Sequence, residues 1–262
     1  MENPQTNEFK NWETITRARK YRKGHSITDS VSQLRPESIE SLNPPDKRMT
    51  LDDLKKSHAT ATIQWQSSRS RRKLLEMLDI RQPFQNKPNW ELKTAICLAT
   101  GSFSRTNTTL NRRAMQQFAA FYDICEWLRA FSTQTFEILA QEPRFTNLDR
   151  EFLESLSVRV LEVGPQGSQD LGPAIMHITV DTFVFEPFLE RKINILRQLY
   201  AAHPRLYIGS SMHGLEEEAY FKSTMRFVKS RKPGKLFPKF DEGPQIFEGL
   251  RVYGDAEEND DC

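Results

Sequence analysis

Apolar and polar positions divide the chain into stretches of different period. Up to about residue 58 no apolar period is sustained, and Asn43-Pro44-Pro45-Asp46 breaks any helix starting there. Residues 1–58 are therefore expected to be a disordered polar and basic arm. Between about Thr60 and Ile80, the positions Ile63, Leu74, Leu75, Leu78 and Ile80 mark a helix leading into the fold. Arg81-Gln82-Pro83 stops it, because proline disfavours helix in the residue before it. Thr94 to Ala99 is nearly all apolar, as befits a strand covered on both faces. The small-residue turn Thr100-Gly101-Ser102-Phe103-Ser104 closes that strand, and Asn107, Thr108 and Thr109 are candidate N-caps for the next helix. Leu110, Ala114, Phe118, Phe121, Tyr122, Cys125 and Leu128 then recur at helical spacing, which turns Phe118 and Phe121 toward the sheet.

The alternation continues. A second strand is predicted at about Thr135 to Ala140, and Thr146 with Asp149 three residues on predicts a capped helix with Leu148, Phe152, Leu153 and Leu156 on its buried face. Val158 to Val163 reads as a third strand, Ala174 to Val180 as a fourth and Leu206-Tyr207-Ile208 as a fifth. A helical stripe at Leu189, Ile193, Leu196, Leu199 and Tyr200 separates the last two. The loop of about ten residues between the third and fourth strands is short for a parallel crossover, so that pair is either antiparallel or joined across the sheet end. Leu215 to Val228 reads as a further helix, Phe237 to Tyr253 as an ordered extension, and Asp255 to Asp261 as an acidic tail. The predicted fold is α/β and Rossmann-like: a mainly parallel five-stranded sheet flanked by helices, spanning residues 59–253, with the arm before it and the tail 254–262 after it.

Composition supports an unfolded arm, since only 37% of residues are hydrophobic and mean hydropathy is −0.63. No apolar run approaches the roughly 20 residues that span a bilayer, and the N-terminus lacks a signal pattern. The expected location is cytoplasmic, nuclear or both, with no membrane association. Cys97, Cys125 and Cys262 form no metal-ligand spacing, and the first two read as buried thiols. The net charge of +2 is uneven, about +6 up to Trp90 and about −4 beyond. Two basic runs, Arg17–Lys23 and Arg69–Lys73, account for the asymmetry. With only Trp12 and Tyr21 as neighbouring aromatics, the first run reads as a solvated arm rather than a nucleic-acid platform.

Candidate chemistry is confined to strand ends, where open α/β sheets bind ligands. Gly101, Ser102, Ser104, Glu142, His177, Gly209 and Ser210 are the candidate ligand-binding residues, with Gly101, Glu142, His177 and Gly209 expected to line one cleft. Glycine and serine also end strands in ordinary turns with no ligand. Glu186 and Glu190, at i, i+4 spacing beside Arg191, read as a helix-surface pair. The dinucleotide and phosphate-loop glycine patterns, HExxH and GxSxG are all absent. No catalytic residue, metal ligand or cofactor is assigned.

Four segments in order resemble the Sensitivity to Red Light Reduced domain family. Leu98-Ala99-Thr100-Gly101-Ser102 is similar to its Leu-Gly-x-Gly-Ser opening, and Glu142-Pro143-Arg144-Phe145-Thr146 to its Asp-Pro-x-Phe-Thr motif. Ile175-Met176-His177 resembles the strand carrying Met-Pro-His-Cys, and Ile208-Gly209-Ser210-Ser211-Met212 the closing Leu-Gly-Asn-Ser-Phe. Glu142 stands for aspartate, Ser210 for asparagine, and no cysteine follows His177. The resemblance covers about Lys93 to Met212. It implies a regulatory protein tied to light or circadian signalling, microtubule-related processes or control of haem biosynthesis, with no agreed reaction. Two readings follow: a non-enzymatic signalling protein with protein partners, or an enzyme or sensor that binds a nucleotide, a phosphorylated metabolite or haem in the strand-end cleft.

Overall fold

The computed structural model describes residues 43–79, 91–132, 134–163, 171–187, 198–210 and 234–254. Outside them lie the arm before residue 43, the expected stripe at Leu189, Ile193 and Leu196, the expected helix from Leu215 to Val228, and the acidic tail from Asp255.

Five parallel strands form the centre: β1 (Thr94–Leu98), β2 (Glu137–Gln141), β3 (Arg159–Val160), β4 (Thr182–Glu186) and β5 (Leu206–Ser210). They lie in the order β3-β2-β1-β4-β5. Two further strands, β6 (Lys235–Leu236) and β7 (Leu250–Tyr253), extend the sheet antiparallel as β5-β7-β6. The fold is α/β as expected, but the sheet is mixed and seven-stranded rather than five-stranded. β6 and β7 are too short to leave a period of their own in the sequence.

The fourth strand lies later than its sequence prediction. Residues Gly172–His177 form a 3-10 helix with Pro173 in its first turn, and β4 begins only at Thr182. The apolar run Ala174 to Ile178 is the crossover that packs on the sheet, through Ala174 and Ile178. A 3-10 segment rises about 2 Å per residue, so six residues cover what a longer α-helix would. That resolves the short connection: β4 is parallel to β1.

β1 sorts its side chains by alternation. Ala95 and Cys97 face one apolar cluster, and Ile96 and Leu98 face the other. The first cluster is covered by α1 (Leu51–Ser67), α2 (Arg69–Leu78), α3 (Thr108–Arg129) and α4 (Asn147–Ser155). Phe118 and Phe121 of α3 are fully buried there, with the Phe121 ring tilted against Phe183 and Phe185 of the sheet. Cys97 and Cys125 are buried free thiols.

The helical lead-in starts at Leu51, inside the stretch 1–58 assigned from sequence to the arm. Thr50 and Asp53 form a capping box: the Asp53 amide donates to Thr50 Oγ1 at 3.2 Å and the Thr50 amide to Asp53 Oδ2 at 3.0 Å. Leu54, Ala61 and Trp65 set the buried face, which leaves Ile63 on the solvent side rather than in the expected stripe. Ser68 ends α1 and caps α2 through the Arg71 amide. Buried Asp123 of α3 ties both helices down, accepting from Trp65 Nε1 at 3.0 Å, Gln66 Nε2 at 3.0 Å and Arg71 Nε at 2.7 Å.

His58 of α1 packs on the rings of Phe118, Tyr122 and Phe152, and its Nε2 has no hydrogen-bond partner. Burial lowers its pKa from 6.5 to about 4. Between those values the unfolded chain binds the proton and the folded chain does not, so stability rises with pH there. The contribution of neutral His58 is complete above pH 6.5 and is lost as pH falls toward 4. Denaturant melts at stepped pH should show that loss, at most about 3 kcal/mol. His58→Phe should flatten the difference between pH 7 and pH 5; an unchanged slope would rule this origin out.

Candidate functional site

The carboxyl ends of β2, β1, β4 and β5 share one edge, because Leu98 aligns with Gln141, Cys97 with Phe185 and Glu186 with Gly209. The chain fills the sheet outward from β1 in one direction, then restarts at β4 on the other side. Ligands of open α/β sheets bind at that point of reversal. Gly101, Ser102, Ser104, Glu142, Gly209 and Ser210 all follow or end strands at this edge.

The turn after β1 is tight, with Ala99 at φ 55° and Gly101 at φ 85°. A glycine takes the second of these left-handed positions without a Cβ penalty. The turn aims the Gly101 amide at Glu142 Oε2, 3.0 Å away, while the Arg144 amide donates to Oε1 at 2.9 Å. Burial pushes the Glu142 carboxyl above its ordinary value, and the Arg144 and Gly101 amides oppose that shift. Asp149, fully buried, does the same for the next residues. It accepts from Ser102 Oγ at 2.5 Å and the Phe103 amide at 3.1 Å, and within its capping box from the Thr146 amide at 2.9 Å. Ser104 Oγ pairs with Thr146 Oγ1 at 2.6 Å. The groups that would greet an incoming anion are held by the chain's own carboxylates and hydroxyls.

Asn43 closes the turn from outside. Its backbone oxygen accepts from buried Arg105 at 2.8 Å, and its side-chain Oδ1 accepts from the Asn107 amide at 2.9 Å. Arg105 also donates from Nε to the Arg144 oxygen at 3.1 Å, bridging the turns after β1 and β2.

Glu186 ends β4 and is 1% exposed. It is a strand residue and not half of the expected helix-surface pair with Glu190. Its Oε1 accepts from the Tyr207 hydroxyl and, at 2.6 Å, from the Ser210 amide. Gly209 sits directly beneath: a Cβ there would overlap the Glu186 carboxylate. Burial and the Glu186 charge push the Tyr207 phenol well above its ordinary range. Glu142 just after β2 and Glu186 at the end of β4 stand on either side of the end of β1. The sequence signal for Glu186 is a lone carboxylate ending the apolar run Thr182-Phe183-Val184-Phe185.

His177 does not join the cleft. Its backbone oxygen accepts from Thr182 Oγ1, at the start of β4, and its ring stands 3.4 Å from an Arg159 nitrogen at the start of β3. It therefore lies at the amino edge, at the far end of the strands from Gly101 and Gly209. The later start of β4 is the cause: with Ala174 to Val180 in the crossover, His177 stands five positions before Thr182, the first residue of β4. Gln141 holds the other end of that crossover, donating from Nε2 to the Leu171 oxygen at 2.7 Å and accepting the Ala174 amide at 3.0 Å.

Gly209→Ala should displace the Glu186 carboxylate and lower stability by about 1–3 kcal/mol in a denaturant melt, as overpacking does. In the Glu186→Ala background the same substitution should be better tolerated, giving a measurable coupling in the double-mutant cycle. Independent, additive effects would show that the two residues do not compete for the space.

The described residues contain no group of three or more His, Cys, Asp or Glu side chains placed to hold a metal, and no helix among them is long and apolar enough to cross a membrane. Comparison with curated proteins finds no match, and comparison with solved structures finds none. The family model described as the SRR1 domain matches residues 51–253. That span runs from the first residue of α1 to the last of β7, so it takes in both the N-terminal helices and the carboxyl edge. The chain belongs to the SRR1 domain family.

Proposed function

We propose that this SRR1-domain chain is a regulatory interaction protein and not an enzyme acting on a phosphorylated substrate. One observation carries the reading: the Gly101 amide, at the place where a phosphate would be cradled, donates to buried Glu142. Anion sites of α/β folds need open backbone amides at a helix or turn. Here a phosphate would meet two carboxylates, Glu142 and Asp149, both less than a tenth exposed. Displacing either leaves a buried charge or amide unsatisfied, at about 1–3 kcal/mol or more for each group. The expected partners are proteins, and the expected location is cytoplasmic, nuclear or both. A role in light, circadian or cytoskeletal signalling is the finer form of the same proposal.

A melting series with nucleotides, inorganic phosphate and haem tests this reading. A ligand at a hundred times its Kd adds about 2.7 kcal/mol of stability. None of these ligands should raise the midpoint. A saturable rise with a nucleotide that is abolished in Glu142→Gln would overturn the reading.

A further inference from the structure

We propose that the groove between α2 and β6 docks an extended acidic segment of a partner protein, one in which carboxylates alternate with apolar side chains along one face. The proposal rests on the interaction reading above and names the surface and the partner chemistry.

The basic run Arg69–Lys73 is sorted by the helix it forms. Ser70 and Leu74 point inward, and Arg71 is consumed by Asp123. Arg69, Arg72 and Lys73 stay exposed, as do Lys235 of β6 and Lys239 just beyond it. Among the described residues none of these five cations makes an ion pair, whereas Arg71 of the same run is paired with Asp123. Arg69 and Lys73 stand at i, i+4 and so share a helix face.

That face meets β6 across an open depression of about 460 Å³, lined by Lys73, Glu76, Met77, Lys235, Leu236 and Pro238. The walls are fixed relative to each other, because Ser70 Oγ donates to the Pro238 oxygen at 2.7 Å. Leu236 is 64% exposed, a large apolar side chain that follows Lys235 and lines the same depression as Lys73. Among the described residues β6 pairs with β7 on one side and ends the sheet on the other, so an extended segment can lie along its outer edge. Strand addition supplies main-chain bonds and leaves alternate side chains to give specificity. The set facing α2 would meet Lys73 and Met77 together, so that set carries both the carboxylates and the apolar side chains that the depression receives.

Charge complementarity selects an acidic occupant, and the floor selects a peptide over a nucleic acid. Met77, Leu236 and Pro238 offer no aromatic face on which bases could stack. Glu76 stands within the wall and repels a negative charge placed directly against it, so the occupant's carboxylates must be spaced to meet Lys73 and Lys235 instead.

Fluorescence anisotropy with the full chain tests this. The probe is a short labelled peptide in which Asp or Glu alternates with Leu at every second position, along one face. It should bind with a Kd below about 100 μM at low salt and weaken as salt screens the charges. Lys73→Glu with Lys235→Glu should weaken binding at least about tenfold. Lys55→Glu with Lys56→Glu, the same charge change on exposed α1, should leave it nearly unchanged. Leu236→Asn should weaken the peptide while leaving the melting midpoint in place. Binding that ignores the first pair of substitutions, tighter groove-dependent binding of a charge-matched oligonucleotide, or no binding in the millimolar range would each overturn the proposal. Those outcomes leave the nucleotide test intact, so loss of the docking site and loss of the interaction reading are told apart.

Discussion

The buried Asp149 carboxylate is the interaction on which the functional edge of this fold depends. It is the third residue of α4 and belongs to that helix's capping box. The same two oxygens hold Ser102 and Phe103 in the turn after β1. One side chain therefore starts a helix and fixes the loop at the point of strand-order reversal. A carboxylate at a helix N-terminus is favoured by the dipole, and several donors compensate its burial. Glu142 repeats the arrangement one turn away, and Glu186 repeats it at β5. Three internal carboxylates thus accept backbone amides at the edge where many α/β proteins receive anionic ligands.

Asp123 plays the corresponding part on the helical face. It collects donors from Trp65 and Gln66 of α1 and from Arg71 of α2. The two helices ahead of the sheet are thereby integral to the domain, and the family match begins with the first of them, at residue 51. Removing a partner from such a buried charged cluster leaves a charge uncompensated and is strongly destabilising. With Arg71 turned inward, the remaining cations of its run are left to the solvent. The basic surface beside β6 is thus a by-product of how the core is tied together.

Much of this was legible in the sequence where one period ran long enough. The stripe containing Phe118 and Phe121 placed α3, and Thr146 with Asp149 placed the start of α4. Gly101 and Glu142 lie just past the ends of β1 and β2, as a small-residue turn or a proline after an apolar run predicts, whereas Gly209 is still inside β5. What failed were short elements and coincidences of pattern. Ala174 to Val180 is as apolar as a strand, but it follows Gly172-Pro173, which favours a tight helical turn, and His177 moved to the opposite edge with it. Glu186 was hidden because its spacing to Glu190 mimics a helix. The hydroxyls of Ser102 and Ser104 looked available because sequence cannot tell that Asp149 and Thr146, more than forty residues away, already use them.

Residue-resolved amide hydrogen exchange tests the central claim most directly, because the claim concerns individual N–H groups. In the chain without any added ligand, the amides of Gly101, Phe103 and Ser210 should exchange slowly, held by Glu142, Asp149 and Glu186. Asp149→Ala should release the Phe103 amide ahead of the β1 amides. Fast exchange of these three groups in the unmodified chain, slowed only when phosphate or a nucleotide is added, would contradict the account and identify the edge as an open anion site.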